Sequence, residues 1–205
     1  MTIYCYTGTV GTGKSLDAAR ELMWHLRFGR PAIGNFELAE DAPVKNRGLY
    51  RYVPNERLTP ELLWDYAEDY WSDGRRFQEN HILLVLDEVQ CIWNSRSWSE
   101  RGRLQWVEFL SQSRKAGYEV VLIAQSAQMI DAQFRMVAEY EVRHRKLSRY
   151  GFWGALLSVP FGGRLFAKQT RLMQTGEVMG SELFFAWPWY FRMYDTRKRF
   201  ERRTS

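Results

Sequence analysis

Short apolar runs recur along this chain, separated by stretches whose apolar residues return every three to four positions. The first run, Ile3-Tyr4-Cys5-Tyr6, predicts a short buried strand, and residues 16–28 have the helical period. Gly29-Arg30-Pro31 breaks that period, and residues 32–36 predict a second short strand. Residues 37–55 lack periodicity and predict an irregular connection, with residues 50–53 as an edge strand. Thr59-Pro60-Glu61 is a helix start, with Thr as N-cap, Pro in the first helical position and an acid in the first turn. That helix is predicted to reach about Trp71, with Leu62, Leu63, Tyr66 and Tyr70 on one face.

Ile82-Leu83-Leu84-Val85-Leu86 is continuously apolar, as a parallel strand covered on both faces must be. Residues 92–103 predict a polar loop, and residues 101–116 a helix with Leu104, Val107, Leu110 and Ser111 inward. Gly117 ends that helix, residues 119–124 predict another buried strand, 127–137 a short helix and 140–145 a strand. After Tyr150 the pattern weakens: 151–163 predict a hydrophobic loop or hairpin tip, while 164–174 and 183–194 predict two strands divided by Thr175-Gly176 and Gly180. The alternation of strand and helix predicts an α/β fold with a mostly parallel central sheet flanked by helices, plus a C-terminal β-hairpin or small subdomain. Residues 1–150 are expected to form the core and 151–205 a basic, aromatic-rich extension packed on it.

The turn between the first strand and the first helix carries chemistry. Gly8-Thr9-Val10-Gly11-Thr12-Gly13-Lys14-Ser15 fits G-x-x-x-x-G-K-[ST], the phosphate-binding loop of P-loop nucleotide-binding proteins. Its glycines let successive backbone N–H groups turn inward as an anion nest, and the helix that follows directs its positive end at the same point. Lys14 is expected to reach the β- and γ-phosphates of ATP, and Ser15 to ligate Mg²⁺. The run 82–86 ends in Asp87-Glu88, at the strand edge where α/β sheets bind ligands. Asp87 is therefore the expected second holder of Mg²⁺, through water, and Glu88 the carboxylate that polarises an attacking water. Gln125, at the end of the next buried strand, is expected to sense the γ-phosphate or position that water.

Composition narrows the picture. Apolar residues at 45% and charged residues at 26% are ordinary for a globular domain. Cys5 and Cys91, far apart in apolar surroundings, predict free core thiols rather than a disulfide, and His25, His81 and His144 form no ligand pattern. No signal peptide or membrane-spanning run is legible, so the chain reads as cytoplasmic. From Glu141 onward there are 13 Lys/Arg against 5 Asp/Glu, whereas the preceding residues hold 16 against 19. A basic final third points to an acidic partner, single-stranded DNA or an anionic membrane surface.

With these residues in view, the chain resembles the zonular occludens toxin (Zot) domain family, which includes the cytoplasmic parts of gene I-type assembly proteins of filamentous phages. The resemblance rests on the loop 8–15, the strand 29–35 ending in Asn35, and Leu86-Asp87-Glu88-Val89-Gln90. It extends through Ser113-Arg114-Lys115-Ala116-Gly117-Tyr118 into Val121-Leu122-Ile123-Ala124-Gln125, then Ile130-Asp131 and Tyr194-Asp195-Thr196. Where the family commonly has His-Arg-His, this chain keeps only the arginine, Arg114. The resemblance implies a fold related to the FtsK–HerA ring motors, in which the strand ending in Gln125 separates the strand of Asp87 from that of the phosphate loop. It also implies ATP hydrolysis by a homo-oligomeric ring, phage coat and assembly proteins as partners, and work at the cytoplasmic face of the host inner membrane. In such rings a neighbour supplies an arginine; Arg114 is the candidate and Arg96 the reserve. Family members typically continue into a transmembrane helix; the basic end at Arg197-Lys198-Arg199 and Arg202-Arg203 is what precedes such a span. The alternatives are a nucleotide-dependent binding switch without a power stroke and, against the Gln125 strand edge, a small-molecule P-loop kinase.

Overall fold

A computed structural model describes residues 2–93, 100–149 and 159–193. An eight-stranded sheet runs through them in the order β3-β2-β4-β5-β1-β6-β7-β8. The strands are β1 (Ile3–Thr7), β2 (Ala32–Gly34), β3 (Tyr50–Tyr52), β4 (Ile82–Leu86), β5 (Tyr118–Ile123), β6 (Tyr140–Lys146), β7 (Leu165–Leu172) and β8 (Val178–Phe185). β3 to β6 in this order pair parallel, and β7 and β8 are added antiparallel as a hairpin. The helices are α1 (Lys14–Arg27), α2 (Pro60–Ser72), α3 (Val89–Ile92), α4 (Glu100–Gln112) and α5 (Ala132–Val137).

The continuous apolar runs are divided between two cores by the two-residue period of the strand. Ile82, Leu84 and Leu86 of β4, with Tyr118, Val120 and Leu122 of β5, meet Leu63, Phe109 and Phe134 on one face. Leu83 and Val85, with Val121 and Ile123, meet Ala18, Ala19, Leu22 and Leu26 of α1 on the other. Small residues at 18 and 19 let α1 lie close to the sheet, which holds its N-terminus over the strand ends. α2 starts as expected, with the Thr59 hydroxyl accepting from the Leu62 N–H at 3.3 Å.

Four expectations are corrected. Val107 and Leu110 pack on the core as expected, but the rest of the inner stripe of α4 is Trp106 and Phe109, continued by Ser113 in a 3-10 turn, while Leu104 and Ser111 are exposed. The rings have more apolar area to hide than Leu104; Trp106 meets Trp93 at 5.6 Å between centroids, and Trp93 stacks on Phe134 at 4.2 Å. The second strand of the hairpin is β8, ending at Phe185 rather than starting at Leu183. β8 is an exposed edge strand and so lacks the apolar signature, and Pro188 cannot join a ladder and opens a 3-10 turn, Pro188–Arg192, instead. Cys91 is exposed, because α3 leaves the sheet edge directly after Glu88; Cys5 is buried. The run 127–137 is a 3-10 turn, Ala127–Met129, followed by α5, whose N-cap Asp131 accepts from the Gln133 N–H at 2.9 Å. Arg96, Tyr194 and most of 151–163 lie outside the described residues.

One polar cluster sits beneath the phosphate loop. Asp17, on α1, is fully buried and faces His144 Nε2 of β6 at 3.0 Å and Lys168 Nζ of β7 at 3.3 Å, while Arg20 approaches its other oxygen at 2.9 Å. His144, read as incidental in the sequence, is fully buried as well, with its other ring nitrogen 3.0 Å from Val142 O. Burial pushes the Asp17 carboxyl up, but the His144 hydrogen bond, Lys168 and Arg20 together hold it below the usual carboxylate value. Such a depressed group contributes stability above the unfolded value of about 4 and loses it as pH falls through the folded value. Asp17→Asn is expected to cost about 3 kcal/mol at neutral pH. It is also expected to flatten the acid limb of stability below about pH 4, read by denaturant unfolding across pH; equal limbs in both proteins would refute the assignment.

Candidate nucleotide-binding site

The loop 8–13 leaves the C-terminal end of β1 and turns back into α1. Gly8 and Gly13 have φ of 141° and 96°. A Cβ on Gly8 would lie 2.5 Å from His144 O, and one on Gly13 would lie 2.7 Å from the Phe166 ring. Both positions thus require glycine for conformation and for space. Lys14 Nζ donates to Gly8 O at 2.6 Å and Thr9 O at 3.1 Å, arching over the loop. Burial lowers its pKa, against the raising effect of Asp87 and Glu88.

Ser15 and Asp87 are brought together across the sheet. The Ser15 hydroxyl donates to Asp87 Oδ2 at 3.1 Å, and Asp87 Oδ1 accepts from the Glu88 N–H at 2.8 Å. Burial raises the Asp87 pKa, while those two hydrogen bonds and Lys14 lower it and the Glu88 charge adds to the rise. Glu88 is exposed, with φ of 49° in the left-handed region that non-glycine residues rarely occupy. Strain of this kind gathers at functional sites.

Asn35 has a task that sequence did not disclose. It is 2% exposed; its Oδ1 accepts from the Asp87 N–H at 2.8 Å, and its Nδ2 donates to Asp87 O at 2.8 Å and Asn55 Oδ1 at 2.9 Å. The side chain takes the place of a ladder partner just past the ends of β2 and β4.

Gln125 follows β5, is exposed, and accepts from the Gly8 N–H through its carbonyl at 3.3 Å. With the phosphate loop it lines a cleft of about 630 Å³ whose other wall carries Arg143, Arg145, Lys146 and Arg149. Arg149 Nη1 donates to Val10 O at 3.0 Å, directly on the loop. The alternation in β6 that aims Arg143 and Arg145 to one side was legible; the fold of β6 alongside β1 was not. Arg114 is elsewhere. It precedes β5, so a strand length separates it from Gln125, and it pairs with Glu79 at 3.1 Å.

The nest has backbone N–H groups, two glycines that admit no Cβ, and a helix N-terminus of fourteen residues behind it, which suits a polyphosphate. The Ser15 hydroxyl and Asp87 carboxylate are hard oxygen donors, and few protein ligands together with substrate phosphates are what Mg²⁺ prefers.

The zonular occludens toxin (Zot) family profile matches residues 2–159. The chain belongs to the Zot family. Gene 1 protein of Salmonella phage IKe is 32% identical over 172 residues, covering 80% of this chain and 46% of that protein. Gene 1 protein of Escherichia phage If1 is 27% identical over 213 residues, covering 98% of this chain and 60% of that one. The chain thus spans about half the length of these curated relatives. Among solved structures, the N-terminal domain of zonular occludens toxin from Neisseria meningitidis has a TM-score of 0.57 at 14% identity, covering 95% of this chain and 100% of that one. B204, the DNA-packaging ATPase of Sulfolobus Turreted Icosahedral Virus, has a TM-score of 0.55 at 15% identity, covering 89% and 96%. The shared fold is that of P-loop NTPase domains. In this Zot family member the order β4-β5-β1 puts the strand of Gln125 between those of Asp87 and the phosphate loop, as the resemblance implied.

Asn35→Ala would take the Asn35 hydrogen bonds from the backbone N–H and C=O of Asp87. The expected loss is about 1–3 kcal/mol, measured by denaturant unfolding. A change under about 0.5 kcal/mol, the size of an ordinary surface effect, would remove Asn35 from its role.

Proposed function

We propose that this chain is a P-loop ATPase working as an oligomeric motor in filamentous phage assembly and extrusion at the inner membrane. The observation that carries this reading is the convergence of Ser15, Asp87 and the neighbouring Glu88 at one phosphate nest, in a chain of the Zot family. Gene 1 protein relatives and the fold shared with a DNA-packaging ATPase support it.

In this reading residues 8–15 bind the triphosphate through backbone N–H groups, and Lys14 leaves its two carbonyls to pair with the β- and γ-phosphates. Ser15 and Asp87 would hold Mg²⁺, which would supply charge neutralisation when bound. Glu88 accepts the proton of the attacking water and Gln125 orients that water from the adjoining strand end. Phosphoryl transfer depends on positioning and charge rather than covalent steps, and these few groups supply the part of the site that one subunit holds. Arg114, in the turn before β5 and a strand length from its own loop, would serve a neighbour's site.

Residues 1–150 are the ATPase core in this account and 151–205 an extension on it. The motor sits at the cytoplasmic face of the membrane, with phage coat and assembly proteins as partners. The basic C-terminal end faces single-stranded DNA or anionic lipid.

Turnover per subunit is expected to rise with protein concentration, because an arginine in trans is worth about 10³–10⁵ in rate. Full activity in dilute monomer would contradict the ring. Glu88→Gln is expected to keep ATP binding while lowering turnover about 10²–10⁴-fold. Phage extrusion by that variant would favour a binding switch instead.

A further inference from the structure

The outer flank of α1 and the segment after β8 present an unusual amount of ring surface to solvent. Trp24 and Phe28 stack at 5.7 Å between centroids and 17° between planes, with Phe28 68% exposed. A cleft of about 390 Å³ lies between Trp24 and Arg20 on α1 and Leu183, Phe185 and Trp187 on the hairpin, so the two groups of rings form one face. Trp187 and Trp189 stack in parallel at 4.8 Å and 6°, and Phe185 meets Trp187 edge-on at 5.0 Å. Leu183 is 64% exposed, and Trp189 and Phe191 are exposed too. Contiguous apolar surface of this kind on a folded chain marks an interaction site.

Charges of both signs rim the rings: Glu21 lines the same cleft and pairs with Arg20 at 3.2 Å. The Arg27 guanidinium lies over Trp24 at 5.3 Å, and Arg20 over Phe184 at 5.1 Å. Met193, fully buried, ends the described segment, and the sequence then carries Arg197, Lys198, Arg199, Arg202 and Arg203. Trp and Phe rings with Arg27 at their rim match the headgroup layer of a bilayer, where a ring seats its apolar body and a guanidinium reaches phosphate. Single-stranded DNA fits less well. Bases stack on open ring faces, and the Trp187–Trp189 stack leaves one face of each while Phe28 and Arg27 lie against Trp24, so few faces are left for successive bases.

We propose that this face, built from Trp24, Phe28, Leu183, Phe185, Trp187 and Trp189, docks the domain on an anionic lipid surface. The proposal rests on the membrane placement suggested above but not on ATP turnover, so the two fail separately. It differs from attraction by the basic C-terminal end alone, because it requires the rings.

The test is flotation of the full chain with vesicles of phosphatidylcholine, with and without about 30% phosphatidylglycerol. The wild type is expected to float with the anionic vesicles only. The double variant Trp187→Ser/Trp189→Ser is expected to partition at least about tenfold less, with unchanged thermal melting and ATP turnover. Flotation with absent turnover would leave the docking face standing and overturn the ATPase reading. Undiminished flotation of the double variant would overturn the face. So would oligo-dT binding that needs Trp187 and Trp189 without flotation, or a changed sedimentation state with flotation unaffected.

Discussion

Ser15 and Asp87 are 72 residues apart and meet through one 3.1 Å hydrogen bond. For them to meet, the start of α1 must lie across the ends of β1, β5 and β4, so all three strands must be parallel, in that order and in register. Asn35 secures the far side by holding both backbone groups of Asp87. The near side is secured by close packing: Gly8 against the β6 backbone and Gly13 against the Phe166 ring. The contact is therefore a product of the whole sheet rather than of the two residues that make it.

The antiparallel hairpin has a structural part in this. β7 sends Phe166 under the loop and Lys168 toward Asp17, while β6 provides His144. A buried carboxylate is costly unless paired, and here the pairing draws α1, β6 and β7 to one point. Thr7 and Arg143 meet at the buried Glu141 in a parallel arrangement, at 2.9 and 2.8 Å, and tie the end of β1 to β6. The parallel part of the sheet and its C-terminal hairpin thus share the polar ties that position the loop 8–13.

Much of this was legible in the sequence. The runs 3–6, 82–86 and 119–124 announced buried strands because both faces of a parallel sheet are covered, and Thr59-Pro60-Glu61 announced a helix because each residue fills a known terminal role. The meeting of Ser15 with Asp87 was anticipated because phosphate chemistry restricts residue types at fixed spacing. What escaped depends on distant partners. Asn35, His144 and Arg149 have no local signature, since their roles exist only once β2 lies by β4 and β6 by β1. β8 was misplaced because an edge strand needs no apolar face, and α4 was rotated in the reading because ring area outweighed the aliphatic period.

The central claim is that Ser15 and Asp87 form a divalent-cation-dependent triphosphate site. Titrating a non-hydrolysable ATP analogue calorimetrically, with Mg²⁺ and with chelator, tests it without any catalytic step. The account predicts that Mg²⁺ tightens binding in the wild type by about tenfold or more, and that Ser15→Ala and Asp87→Ala each abolish that difference. An undiminished Mg²⁺ effect in both variants would contradict it.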